Sequence, residues 1–530
     1  MKRLLGFGLI LSFCVAAMTG CGSTPATNTT GNIEILVGDT PVCNVLSFRA
    51  LVTGLSVIPQ GSSTGFTLLP SSSIIPVDFA ALKNTSTILG TATFIPAGTY
   101  ASGHLAVTAP VMTLFDSSQS PPVDLVTPTY STENIPFTIT PPLVVSNSKL
   151  SALRLDFNLA QSIQVNAQGQ IVTGGTPSAL TATVNPVLTA TALTASGTQG
   201  FAELDNVYGY VTSVNASSAA GSGFIGSFAL QTLSGASTAT PGGGPSVTVS
   251  IPAGCQFIAS VSDEQLAATS SSACQFIGAG ALNQLTTGNY TEVRGHLDAL
   301  GNFVADTVLV ENQENLDQNM TAFLGAILSV TKDSSGNVTQ FALYIRDEEP
   351  STGAASGNAV SLDLPPLTVN VSTSTGFHYS APATNFAGII PDATSLAVGQ
   401  QVVVHATYVP PATPPAGGAP IPATATAQDI YVPLQTLGGN FSALLSAGSD
   451  NLTGGFRFTP CSGIFQGQPV YVLTNVQTQF QNVNGLAGLS AAPQLQTRGL
   501  LFFSQNGETV NGVTVPPGSY MLLASVVRQL

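Results

Sequence analysis

Apolar residues recur at every second position in short runs, broken by glycine or proline at intervals of about 8–12 residues, the spacing of all-β sandwiches and barrels. Ile33, Ile35 and Val37 alternate with their neighbours, as do Leu153, Leu155, Phe157 and Leu159. Alternation of this kind sets one face of a strand on a core and the other in water. Beyond the leader, no run carries apolar residues at helical spacing. With 530 residues, 44% hydrophobic and only 7% charged, the chain is expected to fold, and to fold as several domains.

The first residues have another purpose. Lys2 and Arg3 precede an almost wholly apolar stretch from Leu4 to Ala17. That stretch is shorter than the roughly 20 residues of a membrane span and suits a signal-peptide core. It ends in Met18-Thr19-Gly20-Cys21, which resembles the lipobox of bacterial lipoproteins. The resemblance implies cleavage after residue 20 and acylation of Cys21, with each buried CH₂ contributing ~0.8 kcal/mol to anchoring. Gly22 stands where an inner-membrane retention signal would place Asp, so resemblance to Gram-negative lipoproteins implies the outer membrane. Residues 21–31 then read as a polar, lipidated tether.

Charge narrows the partners. The chain holds 26 acidic and 12 basic residues, and loss of the leader removes Lys2 and Arg3 but no acid. Phosphate backbones need clustered Lys and Arg, so nucleic acid is not an expected partner. Of six cysteines, Cys14 lies in the leader and Cys21 at the anchor, leaving Cys43, Cys255, Cys274 and Cys461. Export permits disulfides. Cys255 and Cys274 each open a Cys-Gln-Phe triplet, and a local bridge between them would close a loop of about 20 residues and contribute roughly 3 kcal/mol. The alternative is two buried thiols. The pairing of Cys43 and Cys461 stays open. No Cys-x₂-Cys or Cys/His cluster suggests a metal.

Residues 32–196 read as a β-sandwich of transthyretin or immunoglobulin type. Three of its motifs, Asp39-Thr40-Pro41, Pro96-Ala97-Gly98-Thr99-Tyr100 and Leu155-Asp156-Phe157, resemble a bacterial lipoprotein family catalogued only as a domain of unknown function. This copy lacks the tryptophan expected in the early strands of that family. The remainder repeats. Gly209-Tyr210-Val211, Gly325-Ala326-Ile327 and Gly439-Asn440-Phe441 open units about 115 residues apart, a period of tandem domains rather than of a solenoid. The units span 200–315, 318–433 and 434–530 and resemble a second uncharacterised family thought to form small OB-like barrels. The Pro-rich run 409–424 reads as a hairpin loop inside the second unit.

Chemical motifs are weak. Gly61-Ser62-Ser63-Thr64-Gly65 matches an esterase string but falls in a hairpin, not on a strand-to-helix elbow. Gly221-Ser222-Gly223-Phe224-Ile225-Gly226 matches a dinucleotide fingerprint, yet a strand follows where a helix is needed. Among His104, His296, His378 and His405, only His296 has nearby carboxylates, Glu292 and Asp298. His296 and His405 fall at similar strand positions in successive repeats, which suggests architecture. Asp298–Asn302 and Asp333–Asn337 read as tight turns rather than calcium loops, and Asp347-Glu348-Glu349 as a solvated loop. Tyr210, Tyr290, Tyr379, Tyr408 and Tyr471 are the aromatics left for stacking in a chain without tryptophan.

The expected protein is therefore a non-enzymatic, lipid-anchored envelope protein without cofactor or metal. It would have a binding or structural role, its ligand an envelope protein or polysaccharide. A polysaccharide-recognition or adhesion module is the first alternative. A hydrolase whose site is assembled across domains is the second.

Overall fold

The computed structural model describes residues 29–529 apart from 40–44, 71–74, 83–85, 117, 119–121, 131, 148, 166–170, 177–178, 194–201, 217–222, 233–245, 254, 260–274, 278–281, 283–284, 299, 312–319, 351–365, 380–385, 387–391, 413–421, 462, 466 and 492–493. The fold is all-β: a sandwich followed by three small barrels. No described helix is long and apolar enough to cross a membrane.

In one sheet of the sandwich, Thr30–Gly38 lies between Ser86–Pro96, antiparallel, and Leu150–Phe157, parallel, and Leu188–Leu193 extends it. The other sheet centres on two long antiparallel strands, Val45–Pro59 and Gly98–Phe115. Phe66–Leu69 and Ile75–Asp78 join the first of these, and Val123–Tyr130 and Asn134–Val145 join the second. Between the sheets the rings of Phe48, Phe79 and Phe157 pack with centroids 4.7–6.4 Å apart.

The sequence motifs of the sandwich are local fasteners. The Tyr100 hydroxyl donates to the Pro96 carbonyl at 2.7 Å, so the tyrosine of the Pro-Ala-Gly-x-Tyr turn closes the turn that precedes it. Asp39, fully buried, accepts the Leu159 amide at 3.2 Å. The Asp-x-Pro motif thereby meets the short helix Leu159–Ser162 that follows Leu-Asp-Phe.

Each barrel repeats one topology. In the first, Ala202–Asn215, Phe224–Thr232 and Ser246–Pro252 form a meander. The fifth strand, Phe303–Glu311, runs parallel to the third, and Tyr290–Leu297 closes the ring between the fifth and the first. Met320–Lys332, Val338–Pro350, Leu367–Asn370, Gln401–Val409 and Thr424–Val432 do the same, as do Gln435–Ala447, Gly454–Pro460, Val470–Thr474, Gln494–Ser504 and Ser519–Gln529. Closure of this kind leaves few free edges. In every barrel a short extra strand runs parallel to the fifth at the same register: Phe257 opposite Val308, Phe377 opposite Ile430 and Phe480 opposite Val527. The opening glycines are explained together. A Cβ on Gly209, Gly325 or Gly439 would collide with a second-strand carbonyl, that of Gln231, Tyr344 or Thr459.

The repeats align by their bulges, and this corrects one expectation. The fourth strand slips register after Arg294, His405 and Arg498 in turn. His405 is therefore equivalent to Arg294, and His296 lies two residues further on. Asp347-Glu348-Glu349, expected in a loop, lies instead in the second strand of the middle barrel, opposite Leu324, Phe323 and Ala322. Val409 pairs with Thr424, so the Pro-rich run does join two hairpin strands.

The domains share cores. Leu36 and Ile88 of the sandwich cluster with Val207, Phe228 and Leu230 of the first barrel. In the third barrel Leu500, Phe502, Met521 and Leu523 join the core of the second, around Phe323 and Phe341, while Leu501, Leu522 and Val527 stay with Phe456 and Phe458. Leu46, Phe115 and Val123 of the sandwich pack against that last cluster.

Candidate functional site

A trough of about 660 Å³ opens where Asn134–Val145 bridges the two sheets of the sandwich. This strand pairs with Gly98–Phe115 at both ends, but the register slips between Tyr100 and Ser102. Pro141 and Pro142 lie in the slip, and prolines without an N–H cannot continue a ladder. Opposite the slip, Ile139 makes a single bridge to Ala190 on Leu188–Leu193. The two sheets are thus stitched at one point, and the trough opens beside it.

Alternation decides the lining. Thr138, Thr140, Thr189 and Thr191 turn outward, while Phe137 and Leu188 are buried beneath them. Ser102 and His104 form the far wall, and Gly103 lies between them because a side chain there would meet the Phe137 ring. The lining contains no Asp, Glu, Lys or Arg. Ser102 and His104 are two apart on one strand, about 6–7 Å by strand rise, and no carboxylate lines the trough to orient the imidazole. What the surface offers is hydroxyl hydrogen bonding over an apolar floor. The sequence signal was available in the alternating threonines of Phe-Thr-Ile-Thr and Leu-Thr-Ala-Thr, hidden by the frequency of threonine in exposed strands.

The other histidines belong to the barrels. His378 Nε2 lies 2.8 Å from Asp429 Oδ1, both largely buried. Asp429 is opposite His405 on one side and Gly376 on the other, and a Cβ on Gly376 would strike the carboxylate. His296 Nδ1 faces Asp306 Oδ1 at 3.5 Å, a carboxylate on the neighbouring fifth strand. Its pKa is raised, first by the hydrogen bond with Asp306 and against the effect of burial. Asp298 accepts the amides of Leu300 and Asn302, both at 2.8 Å. Asp333 accepts those of Ser335 and Asn337 at 2.8 and 2.9 Å, and with the Asn337 side chain these bonds hold its carboxyl below the usual range. Both carboxylates are consumed by their own turns. Among the described residues no three His, Cys, Asp or Glu side chains gather in a metal-binding group.

Cys21 and Cys274 lie outside the described residues. Cys255 is a buried thiol, its pKa pushed up by burial. The ladder beside it pairs Gln256 with Ile277 and Ile258 with Gln275. Because Cys255 remains a thiol, the expected Cys255–Cys274 bridge is not formed. Cys461 is in a disulfide, whose partner lies outside the described residues. Gly61–Gly65 forms the hairpin turn after Val45–Pro59, and Phe224–Thr232 is a strand, so neither enzyme-like string has its required context. Tyr408 and Tyr471 pack on the core of the second barrel, as does Tyr379.

A small-barrel protein with an uncharged trough on its sandwich is the class these features define. Residues 30–173 match a family model described as a domain of unknown function, DUF4382. The match starts on the first strand of the sandwich and stops before Ala179–Val184 and Leu188–Leu193, which complete it. No curated protein and no solved structure matches the chain.

Proposed function

We propose that this chain is a non-enzymatic envelope lipoprotein, acylated at Cys21, whose sandwich binds a neutral, hydroxyl-rich ligand of the polysaccharide class. The observation that carries the ligand class is the trough: four outward threonines, Ser102 and His104, with no Asp, Glu, Lys or Arg in the lining. A sugar presents many hydroxyls and weakly polar C–H faces, which suit a hydroxyl rim over Phe137. The experiment is affinity electrophoresis of the full chain through gels containing neutral surface polysaccharide. Retardation that disappears on Thr138→Arg with Thr189→Arg supports the reading, and mobility unchanged by every neutral glycan removes it.

The anchor rests on Lys2-Arg3, the apolar stretch and Met18-Thr19-Gly20-Cys21. Gly22 supports sorting to the outer membrane. Cys21→Ser should move the protein from the membrane fraction to the soluble fraction, and unchanged fractionation would refute acylation. A structural role for the three barrels, holding the sandwich in a fixed attitude, fits their shared cores.

A further inference from the structure

The end of the sandwich where the described chain enters is assembled from several segments. Thr30 pairs with Pro96 and Gly31 with Ile95. The Ala97 amide donates to the Thr29 carbonyl at 2.8 Å, and the Asn32 amide to that of Lys149 at 3.2 Å. Thr99 pairs with Val144 and accepts the Gln60 amide through its carbonyl. Residues 59–66, 93–99 and 144–149 thus surround the point of entry.

Their chemistry departs from the rest of the molecule. In a chain with 26 acidic residues, these three segments contain no acid and a single charge, the exposed Lys149. They also carry three exposed apolar side chains, Phe94 at 79%, Val144 at 58% and Phe66 at 39%. Phe94 is thrust outward by the fold. Between the pairs Gly31–Ile95 and Ile33–Ala92 the ladder passes over Thr93 and Phe94 on one strand for Asn32 on the other. At this bulge Phe94 has φ 59°, a left-handed backbone that bulky residues rarely adopt. The core gains nothing from the ring, so its position asks for an external partner.

We propose that this end of the sandwich seats on a lipid surface, with Phe94 and Val144 entering the headgroup boundary and Lys149 meeting anionic headgroups. The inference rests on acylation of Cys21 and deepens it. The tether between Cys21 and Thr30 is Gly22 to Thr29, and a segment of that length reaches no further than about 30 Å even when fully extended. The entry end is therefore the part of the folded body held closest to the membrane. The three segments themselves bring no acidic side chain, which anionic lipid would repel.

The chain has no tryptophan, so Phe94→Trp in the full acylated protein supplies a single reporter. The protein is reconstituted into vesicles of phosphatidylethanolamine and phosphatidylglycerol, with and without bromine on the acyl chains. A ring seated about 5–10 Å into the boundary is expected to lose roughly half its emission to brominated lipid. Val144→Trp should be quenched as well, and keeps the test open if Phe94→Trp folds poorly. Val476→Trp, at a side chain 66% exposed on the third barrel, whose core packs on Phe115 at the far end of Gly98–Phe115, should not be quenched. Vesicle flotation with no quenching of either entry-end reporter leaves the anchor intact and overturns the seat. A blue shift without bromine quenching means that protein, such as a second copy, covers the ring, and overturns it too. Phe94→Trp with Cys21→Ser that floats and is quenched supports the seat without the anchor, and flotation without quenching overturns the seat; acylation itself is read separately, from the mass of the mature N-terminal peptide.

Discussion

Asn134–Val145 in the sandwich and the two last long strands, Gln494–Ser504 and Ser519–Gln529, answer the same hydrogen-bonding demand with opposite burial. The first alternates exposed and buried residues almost without fault, Ile135, Phe137 and Ile139 inward and Pro136, Thr138 and Thr140 outward. The last two are buried on both faces, Leu501 and Leu522 in one cluster and Leu500, Phe502, Met521 and Leu523 in another. Their sequences differ accordingly, Ile-Pro-Phe-Thr-Ile-Thr against Leu-Leu-Phe-Phe and Tyr-Met-Leu-Leu-Ala. A strand with one wet face can carry a ligand trough; a strand enclosed on both sides can only hold domains together.

The largest effect expected from this contrast is at Phe502. Phe502→Ala should cost about 3–5 kcal/mol in urea unfolding, because it empties a core that two barrels share. Thr138→Ala, on the wet face, should stay within about 0.5 kcal/mol. Equal losses at the two sites would break the comparison.

Glu34 sharpens it, being a carboxylate on a sandwich strand whose outer face is covered. Burial pushes its pKa from 4.5 up to about 7, although the Thr91 hydroxyl donates to it at 2.7 Å. The folded state thus holds this proton more tightly than the unfolded state. Stability from this group is complete below pH 4.5 and is lost as pH rises to about 7, by up to about 3 kcal/mol. Glu34→Gln should flatten that slope and raise stability at pH 8. A slope unchanged in the variant would show that Glu34 is not the group responsible.

The smallest effect is at the exposed rim of the first barrel. His296 should titrate above the ordinary histidine value by NMR, and Asp306→Asn should bring it down. Its contribution is present below the unfolded pKa and is lost as pH rises through the folded one. With Asp306 half exposed, the stability involved is well under about 1 kcal/mol. No movement of the His296 titration in the variant would detach the pair.

Local chemistry was legible in the residues themselves. Alternation marked Thr30–Gly38 and Leu150–Phe157 as strands, Asp and Asn marked the turns at 298–302 and 333–337, and the opening glycines marked the repeats. Other features were legible only in part. His296 and His405 look equivalent until the bulges align His405 with Arg294 instead. The two Cys-Gln-Phe triplets suggest a bridge, yet Cys255 remains a buried thiol.

By itself, then, the sequence determined strand content, turn positions, the repeat and the three motifs of the sandwich, since each depends on a residue and its near neighbours. Tertiary structure decided which face of Leu500 and Phe502 meets another barrel, where the trough opens beside Ile139 and Ala190, and why Phe94 stands in solvent. Those outcomes depend on register between strands far apart in the chain, and a bulge of one residue is enough to reverse the face a side chain presents.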